Sequence, residues 1–354
     1  MTYIMNFIDT LDGWTLLSNN PELTGGFGEI STYKQNNVKI AVKRFKDIGL
    51  SDDVVREVAI LTLLKDTDIV PHCYGVCLSG IKSFLCLELA TYDLLEFSEE
   101  PDDVREHFFP HVVHSTSYCI ATLHSFGIIH ADIKPENFLV FRDRTYPRIV
   151  LIDFGFSSAT PDNDVYTDYY KPPEVNDRIT YKSDIWALGI TLLVYIRQKI
   201  LKVDTLWLID YDVFPPYNVR YEIDNMFFHS RDSIATVYNM LFVEPEKRQL
   251  PIAIPIQYKT PECTINDDLL VYSSRHSVLQ LASLIMARFL DGTNPNNYSL
   301  NGRIKTNNYG TICLACVDLA EKLCTYYDAY YKDVDIEVED MEIEIIKKLR
   351  GSLL

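Results

Sequence analysis

The chain has 354 residues, of which 47% are hydrophobic and 23% charged, a composition that excludes a wholly disordered protein. Acidic residues outnumber basic residues by 50 to 33, which gives a net charge of −17. Phosphate backbones repel so acidic a surface, so we expect no nucleic-acid partner and favour partners or substrates with basic patches. At roughly 100–200 residues per domain, the length predicts two or three domains.

The sequence shows no feature that would direct the chain into a membrane or out of the cell. The first residues include Asp9 and Asp12 without a basic segment, which does not resemble a signal peptide. The longest apolar run, Ile185–Ile196, has 12 residues and is too short to span a bilayer. The 8 cysteines follow no disulfide framework. We therefore expect no membrane partner and an intracellular location, cytoplasmic or nuclear.

The first 90 residues are predicted to form short strands around a single helix. The helix is expected at Asp52–Leu64, because two aspartates stand in its first turn and its apolar residues recur at helical spacing. The expected strands are stretches rich in apolar and β-branched residues: Thr15–Leu17, Ile30–Lys34, Lys39–Phe45, His72–Leu78 and Ser83–Glu88.

The remainder of the chain is predicted to be mainly helical. A helix is expected from Pro101 to Leu123, strands flank the segment from Ile133 to Asp153, and helical patterns dominate from Ser183 onward. Three prolines in residues 249–264 cannot continue a helix, which predicts a linker there. Beyond the linker, helices are predicted at Ser277–Leu290, Gly310–Leu323 and about Val334 to Leu349.

Five short motifs carry side chains suited to phosphate chemistry. Glycines let backbone amides approach phosphate oxygens closely, and a carboxylate at the end of a strand can hold Mg²⁺. A loop around Pro135 can direct a carboxylate, a lysine and an amide to one point. Each motif alone also fits an ordinary turn, strand or buried helix. The motifs are Leu23–Ile30, Lys43 with Glu57 further along the chain, His130–Asn137, Asp153–Gly155 and Asp184–Gly189.

The order and spacing of these motifs resemble those of the eukaryotic-type serine/threonine protein kinases, over about residues 14–255. The resemblance extends to Lys171–Glu174 and to Arg248, an arginine that in the family pairs with the glutamate of the former motif. It implies an α+β bilobal kinase domain at residues 1–255, with a β-rich N-terminal lobe at about 1–90 and a helical C-terminal lobe at about 91–255. It also implies an enzyme that transfers the γ-phosphate of ATP to protein hydroxyl groups.

The resemblance implies a role for each matching catalytic residue. Lys43 would contact the α- and β-phosphates of ATP and be held by Glu57. Asp132 would orient the substrate hydroxyl group and accept its proton. Lys134 would stabilise the transferred phosphoryl group, and Thr167 would complete the serine/threonine-kinase pattern.

The resemblance also implies the residues that bind the nucleotide and its metal. Asn137 and Asp153 would hold Mg²⁺. The backbone of Glu88 and Ala90 would bond the adenine ring, and Asp93 would contact the ribose. The full nucleotide-binding set comprises Gly25, Gly28, Ile30, Ala41, Lys43, Glu88, Ala90, Asp93 and Leu139.

Three positions depart from the kinase pattern. Leu23 replaces the first glycine of the glycine-rich loop. Ala131 replaces an arginine that usually reads an activating phosphate, and Ser158 stands where a second such arginine is common. We therefore expect activity that does not depend on phosphorylation. A pseudokinase or scaffold that only binds partners remains the alternative to an active kinase.

A second resemblance concerns cyclin-dependent kinases, in which a cyclin pushes one helix into place. Arg56–Leu61 resembles that helix, while Leu279–Leu290 and Tyr309–Lys322 resemble helices of a cyclin box. The resemblance implies a small all-α cyclin-like domain at residues 265–354, which would contact the helix Asp52–Leu64 within the same chain.

Two residues fit the positions through which a cyclin box bonds its kinase helix, namely Lys322 and Glu342. An unrelated helical extension remains the alternative interpretation of this region. A chain that joins two usually separate partners suggests a large DNA virus as its source, in which case it would act in the host cell.

Overall fold

The computed structural model describes residues 8, 10–19, 28–45, 52–78, 83–157, 168–174, 179–196, 217–254, 315–316, 319 and 345. The chain divides into two compact units. Unit one comprises Met1–Thr67, His72–Leu89 and Thr260–Leu354, and unit two comprises Asp68–Pro71 and Ala90–Lys259.

A five-stranded antiparallel sheet forms the described centre of unit one. It consists of β1 (Thr15–Asn19), β2 (Gly28–Gln35), β3 (Val38–Phe45), β4 (Cys73–Cys77) and β5 (Phe84–Glu88). These strands lie in the order β1-β2-β3-β5-β4. Side chains alternate between the faces of a strand, so Ile40 and Val42 of β3 enter the core while Ala41 and Lys43 lie on the opposite face.

Unit one also contains helix α1, which spans Asp52–Leu64 as predicted. Its residues 54–62 are all buried, polar and apolar alike. Nine successive residues make two and a half helical turns, so burial extends around the whole circumference of α1. Four described residues of Thr260–Leu354 also belong to unit one and are wholly buried: Ala315, Cys316, Leu319 and Ile345.

The predicted strands of unit one differ from the observed strands by one or two residues at their ends. Strand β1 extends to Asn19 because Ser18 and Asn19 pair with Thr32 and Ser31, although these polar residues carry no hydrophobic signal. Strand β2 begins at Gly28, which pairs with Phe45.

Unit two is built around two long helices that pack on each other. Helix α3 (Asp102–Ser125) begins one residue after the predicted start and continues for two residues beyond the predicted end. Helix α4 (Tyr181–Ile196) is buried from Ser183 to its last residue. The other described helices of unit two are the short α2 (Leu94–Phe97), α5 (Tyr217–Met226) and α6 (Arg231–Met240).

A small antiparallel sheet in unit two carries the loops that hold the predicted catalytic residues. It consists of β6 (Tyr92–Asp93), β7 (Phe138–Phe141) and β8 (Arg148–Leu151), in that order. A 3₁₀ turn at Pro135–Asn137 leads directly into β7, so residues 129–137, called the catalytic loop below, end on a buried strand.

The β-sheet unit and the mainly helical unit fit the expected bilobal kinase fold. Among the described residues, no helix combines the length and the apolar character that crossing a membrane requires. The helices predicted beyond residue 276 lie outside the described residues, apart from the four buried positions already named.

Candidate active site

Lys43 and Glu57 form the predicted pair in unit one. The Lys43 ammonium donates to Oε1 of Glu57 at 2.9 Å and to Oε2 at 2.7 Å. Glu57 is only 2% exposed, and a carboxylate so far from water requires a charged or hydrogen-bonding partner. Strand β3 therefore presents Lys43, on the face opposite the core, to a carboxylate of helix α1.

The predicted nucleotide-binding residues of unit one lie on neighbouring strands. Ile30 of β2 pairs with Lys43, and Ala41 of β3 pairs with Leu87 of β5. Both Ile30 and Ala41 are half-buried. Gly28 starts β2, whereas Gly25 lies outside the described residues.

Glu88 ends strand β5 and is tied to His72 twice. Its N–H donates to the His72 carbonyl at 2.9 Å, and its carboxylate accepts from the His72 N–H at 3.3 Å. Because its N–H is used in this way, an adenine contact at Glu88 would use the carbonyl oxygen.

The catalytic loop in unit two brings two predicted residues to the carboxylate of a third, Asp132. The Lys134 ammonium donates to Oδ2 of Asp132 at 2.7 Å, and Nδ2 of Asn137 donates to the same oxygen at 3.0 Å. Asn137 also donates to the Asp132 carbonyl at 2.7 Å. Asp132 is 4% exposed, so these contacts fix the direction of a carboxylate that is largely withdrawn from water.

Asp184 of helix α4 anchors the start of the catalytic loop. Its carboxylate accepts from the N–H groups of His130 and Ala131 at 2.8 and 3.0 Å. Nε2 of His124 lies 2.9 Å from the same carboxylate. The sequence motif singled out Asp184, but no local signal indicated that His124, 60 residues away, would meet it.

The hydrogen bonds of the His130 imidazole ring define its tautomer and hold the loop in place. Nε2 must donate to the Ile152 carbonyl, 3.0 Å away, because a carbonyl can only accept. Nδ1 then accepts from the N–H of Asp132 at 3.3 Å. Complete burial lowers the pKa of His130, which keeps the ring neutral and preserves the acceptor.

Asp153 follows strand β8 in unit two, and its neighbour Ile152 is hydrogen-bonded to Asn137. The N–H of Ile152 donates to the Asn137 carbonyl at 3.0 Å, which aligns the two backbones. Asp153 has a φ of 66°, a left-handed conformation that aspartate tolerates better than most residues. An amide oxygen and a carboxylate are ligands that Mg²⁺ accepts.

The described residues contain no group of three or more His, Cys, Asp or Glu side chains arranged to hold a metal ion. A Mg²⁺ ion held by oxygens of Asn137 and Asp153 would have coordination positions left for oxygens of the nucleotide and water. Such sharing is typical of Mg²⁺, which retains water and phosphate ligands.

Asp93 has a structural role that the kinase resemblance did not indicate. Its carboxylate accepts from the N–H of Glu96 at 2.7 Å, and the Glu96 carboxylate accepts from the N–H of Asp93 at 3.0 Å, which together form a capping box on α2. Burial raises the pKa of Asp93 to about 6. The Asp-x-x-Glu spacing is the sequence signal that could have predicted this cap. Asp93 also pairs with Leu139 across β6 and β7.

The expected pair of Glu174 and Arg248 is confirmed. The guanidinium donates to both carboxylate oxygens of Glu174 at 2.6 Å, and it lies 4.9 Å from the centre of the Trp186 ring. Arg248 is fully buried. Thr167, Leu23 and Ser158 lie outside the described residues.

The sequence also matches known proteins. Residues 24–248, more than half of the chain, match the family model of the protein kinase domain. The chain is 30% identical over 176 residues to the probable serine/threonine-protein kinase fnkB of Dictyostelium discoideum. It is 32% identical over 193 residues to the serine/threonine-protein kinase TAO3 of Pongo abelii. It is 31% identical over 185 residues to the calcium-dependent protein kinase 14 of Oryza sativa subsp. japonica.

These three matches cover 45%, 49% and 48% of the chain, and 33%, 21% and 35% of the respective relatives. The chain thus spans about a fifth to a third of the length of the relatives that it matches. The family model includes the described catalytic residues of both units and ends at Arg248. Two of these relatives, fnkB and TAO3, are named as serine/threonine-protein kinases. The chain belongs to the protein kinase family.

Proposed function

We propose that the chain is an active serine/threonine protein kinase that transfers the γ-phosphate of ATP to hydroxyl groups of protein substrates. The observation that carries the proposal is the orientation of the buried Asp132 carboxylate by Lys134 and Asn137. A scaffold that only binds partners has no need for a carboxylate, an ammonium group and an amide converging at hydrogen-bonding distance.

The side chains of the chain supply the positioning and the charge that phosphoryl transfer requires. Asp132 orients the substrate hydroxyl and accepts its proton, while the Lys134 ammonium stabilises negative charge beside it. Lys43, held by Glu57, contributes a fixed positive charge for phosphate oxygens. Asn137 and Asp153 would hold Mg²⁺, which neutralises the charge of the phosphates when it is bound.

Single substitutions separate an active kinase from a scaffold. Lys43→Met and Asp153→Asn should each lower phosphoryl transfer by about 10³-fold or more, because each removes a charge that stabilises the transition state. Asp132→Asn tests the proposed base in the same assay. Lys39→Met, at an exposed lysine of the same strand, is the matched control and should leave the rate unchanged. Full activity of both Lys43→Met and Asp153→Asn would contradict the proposal.

We also propose that the kinase is of the cyclin-dependent type and that its C-terminal segment, residues 265–354, holds α1 in the active position. The burial of α1 around its whole circumference supports this proposal. A sheet covers one side of a helix, so the opposite side of α1 needs a second covering element. Thr260–Leu354 belongs to the same compact unit as α1.

Charge gives a second line of support for the C-terminal segment. Arg56 of α1 is 1% exposed, and a guanidinium remains charged in a protein interior and needs an anionic partner. Residues 333–344 carry seven carboxylates and no basic residue. The wholly buried Ile345 directly follows this acidic run. A segment tethered to the kinase acts at roughly millimolar effective concentration, so even weak contacts would stay formed.

Substitutions in the full chain test this activation. Leu319→Asp and Ile345→Asp each place a charge at a wholly buried position of the C-terminal segment, and we expect the kinase rate to fall at least about 10-fold. The double variant Lys322→Ala/Glu342→Ala tests the cyclin-like contact without placing a charge at a buried position. Val38→Asp, at an exposed apolar residue of unit one, is the control. Unchanged activity in all three test variants would instead favour an unrelated helical extension.

A further inference from the structure

An apolar cluster in unit two joins three parts of the chain that are far apart in sequence. Ile129 and Ala131 belong to the catalytic loop, Ile179 lies two residues before α4, and Phe156 follows Asp153–Gly155. Ile129, Ala131 and Ile179 are 1%, 8% and 2% exposed. The half-buried ring of Phe156 packs against them. We refer to these four residues as the loop cluster.

Polar contacts attach the same segment to the catalytic loop. The N–H of Ser157 donates to the Phe154 carbonyl at 3.0 Å, which closes a turn over Gly155 and Phe156. The Ser157 hydroxyl donates to the His130 carbonyl at 3.2 Å. The Phe154 ring is wholly buried, with its centre 5.3 Å from that of the His130 ring. The residues directly after Asp153 are therefore fixed to the loop that bears Asp132.

Helix α4 supplies the support on which the loop cluster rests. Ile179 is held at the start of α4, because the Thr180 N–H donates to the Ser183 hydroxyl at 3.1 Å and the Lys182 N–H donates to the Thr180 hydroxyl at 3.2 Å. Ala131 is tied to the same helix through Asp184. Ile179 and Ala131 are thus both attached to α4, and Phe156 packs against the cluster to which they belong.

We propose that the loop cluster positions Asp153 and residues 154–157 beside the catalytic loop without the help of a phosphate group. All four side chains are apolar, so the cluster gains nothing from a phosphorylated residue and a phosphate placed among them would lose its hydration. The positioning residues are Phe156, Ala131 and Ile179. This inference rests on the proposed kinase function, because it concerns the geometry of the same site.

Substitution of Phe156 in the full chain tests the positioning role. With enzyme shown by mass spectrometry to be free of phosphate, we expect Phe156→Ser to lower kcat about 100-fold, because a displacement of about 1 Å in a catalytic group can cost that much. The KM for a peptide substrate should change little, since this residue is not proposed to bind the peptide. Phe156→Leu, which keeps the apolar contact, should restore most of kcat.

Controls separate positioning from general loss of structure. Tyr146→Ser removes an aromatic ring that is 54% exposed in the same unit and should leave kcat unchanged. Ile179→Ser should lower kcat as Phe156→Ser does, and the double variant should lose less than the product of the two effects, because the two residues act through one contact. Circular dichroism at the assay temperature verifies that each variant is folded.

A measurement of hydrogen exchange keeps the test independent of catalysis. The peptide that contains residues 154–157 should exchange faster in Phe156→Ser than in the wild type and in Tyr146→Ser. An inactive wild type would overturn the proposed function, while the exchange rates would still decide whether the cluster holds the segment. Unchanged exchange in Phe156→Ser, or a loss of kcat of more than about 10-fold when phosphate is removed from the wild type, would overturn the inference.

Discussion

Arg248 and Glu174 are 74 residues apart in sequence and form two parallel hydrogen bonds of 2.6 Å. The Arg248 guanidinium also donates to the carbonyls of Phe242, Lys182 and Val243. Its burial is complete, and these five bonds together satisfy a charge that could not otherwise be removed from water. The pair therefore joins the end of the Lys171–Glu174 motif to the segment after α6.

Substitution of Arg248 by lysine should destabilise unit two strongly. An ammonium group keeps the charge but cannot form the bidentate pair or all five bonds, so the loss should approach about 3–5 kcal/mol, the cost of removing one partner from a buried pair. Urea unfolding of the full chain, followed by tryptophan fluorescence, would measure the loss, because Trp186 lies against Arg248. Arg144→Lys is the matched control, since the contact of Arg144 with Asp143 is exposed, and it should change the free energy of unfolding by less than about 0.5 kcal/mol.

Substitution of Arg105 in α3 should also destabilise unit two, because Arg105 binds the C-terminal end of α4. Its guanidinium donates to the carbonyls of Tyr195 and Ile196 at 2.9 and 2.7 Å, which satisfies two of the groups that a helix C-terminus leaves without partners. Arg105→Leu would leave these buried carbonyls unpaired, at a cost of about 1–3 kcal/mol each. We expect the melting temperature to fall by several degrees, whereas Arg144→Leu should have no such effect. An unchanged melting temperature for Arg105→Leu would show that water replaces the guanidinium.

The contrast between α1 and Arg105 shows which features the sequence could predict. The bounds of α1 follow from aspartates in its first turn and from apolar spacing, both of which are local signals. The contact of Lys43 with Glu57 follows from the kinase motif, and the alternation of β3 directs Lys43 away from the core. The partners of Arg105 lie 90 residues away on another helix, and no local pattern encodes such a contact.

The conformation of the catalytic loop shows the same limit. Asp132, Lys134 and Asn137 are found together as the motif implied, because they are close in sequence. Ala131 adopts a φ of 67°, although alanine has no preference for the left-handed region. The bonds from the N–H groups of His130 and Ala131 to Asp184 impose that conformation, and Asp184 is more than 50 residues further along the chain.

Glu57→Gln removes the charge of the α1 carboxylate but keeps the size of the side chain and one oxygen that can accept a hydrogen bond. Glutamine can still accept from the Lys43 ammonium but removes the negative charge opposite it in a mostly buried position. We expect kcat to fall about 10- to 100-fold and the melting temperature to fall by several degrees, because loss of the negative charge weakens both the positioning of Lys43 and a buried ion pair. Steady-state kinetics and thermal unfolding of the same sample would test both parts. A variant with wild-type kcat would show that the charge of Glu57 is dispensable.

Asp93→Asn should stabilise the protein above about pH 6. Burial raises the pKa of Asp93 from 3.8 to about 6, so folding penalises its ionised form. This penalty is absent below pH 3.8, grows between pH 3.8 and 6, and is complete above pH 6. Asparagine caps a helix as well as aspartate does but carries no charge. After allowance for partial exposure, we expect the melting temperature of Asp93→Asn to exceed the wild-type value by about 2–4 °C at pH 7.5 and to match it near pH 4. Asp93→Ala also removes the charge but loses the cap. At pH 7.5 its free energy of unfolding should therefore be about 1 kcal/mol lower than that of Asp93→Asn. An advantage of Asp93→Asn that is independent of pH would show that the ionised carboxylate is not penalised by the fold.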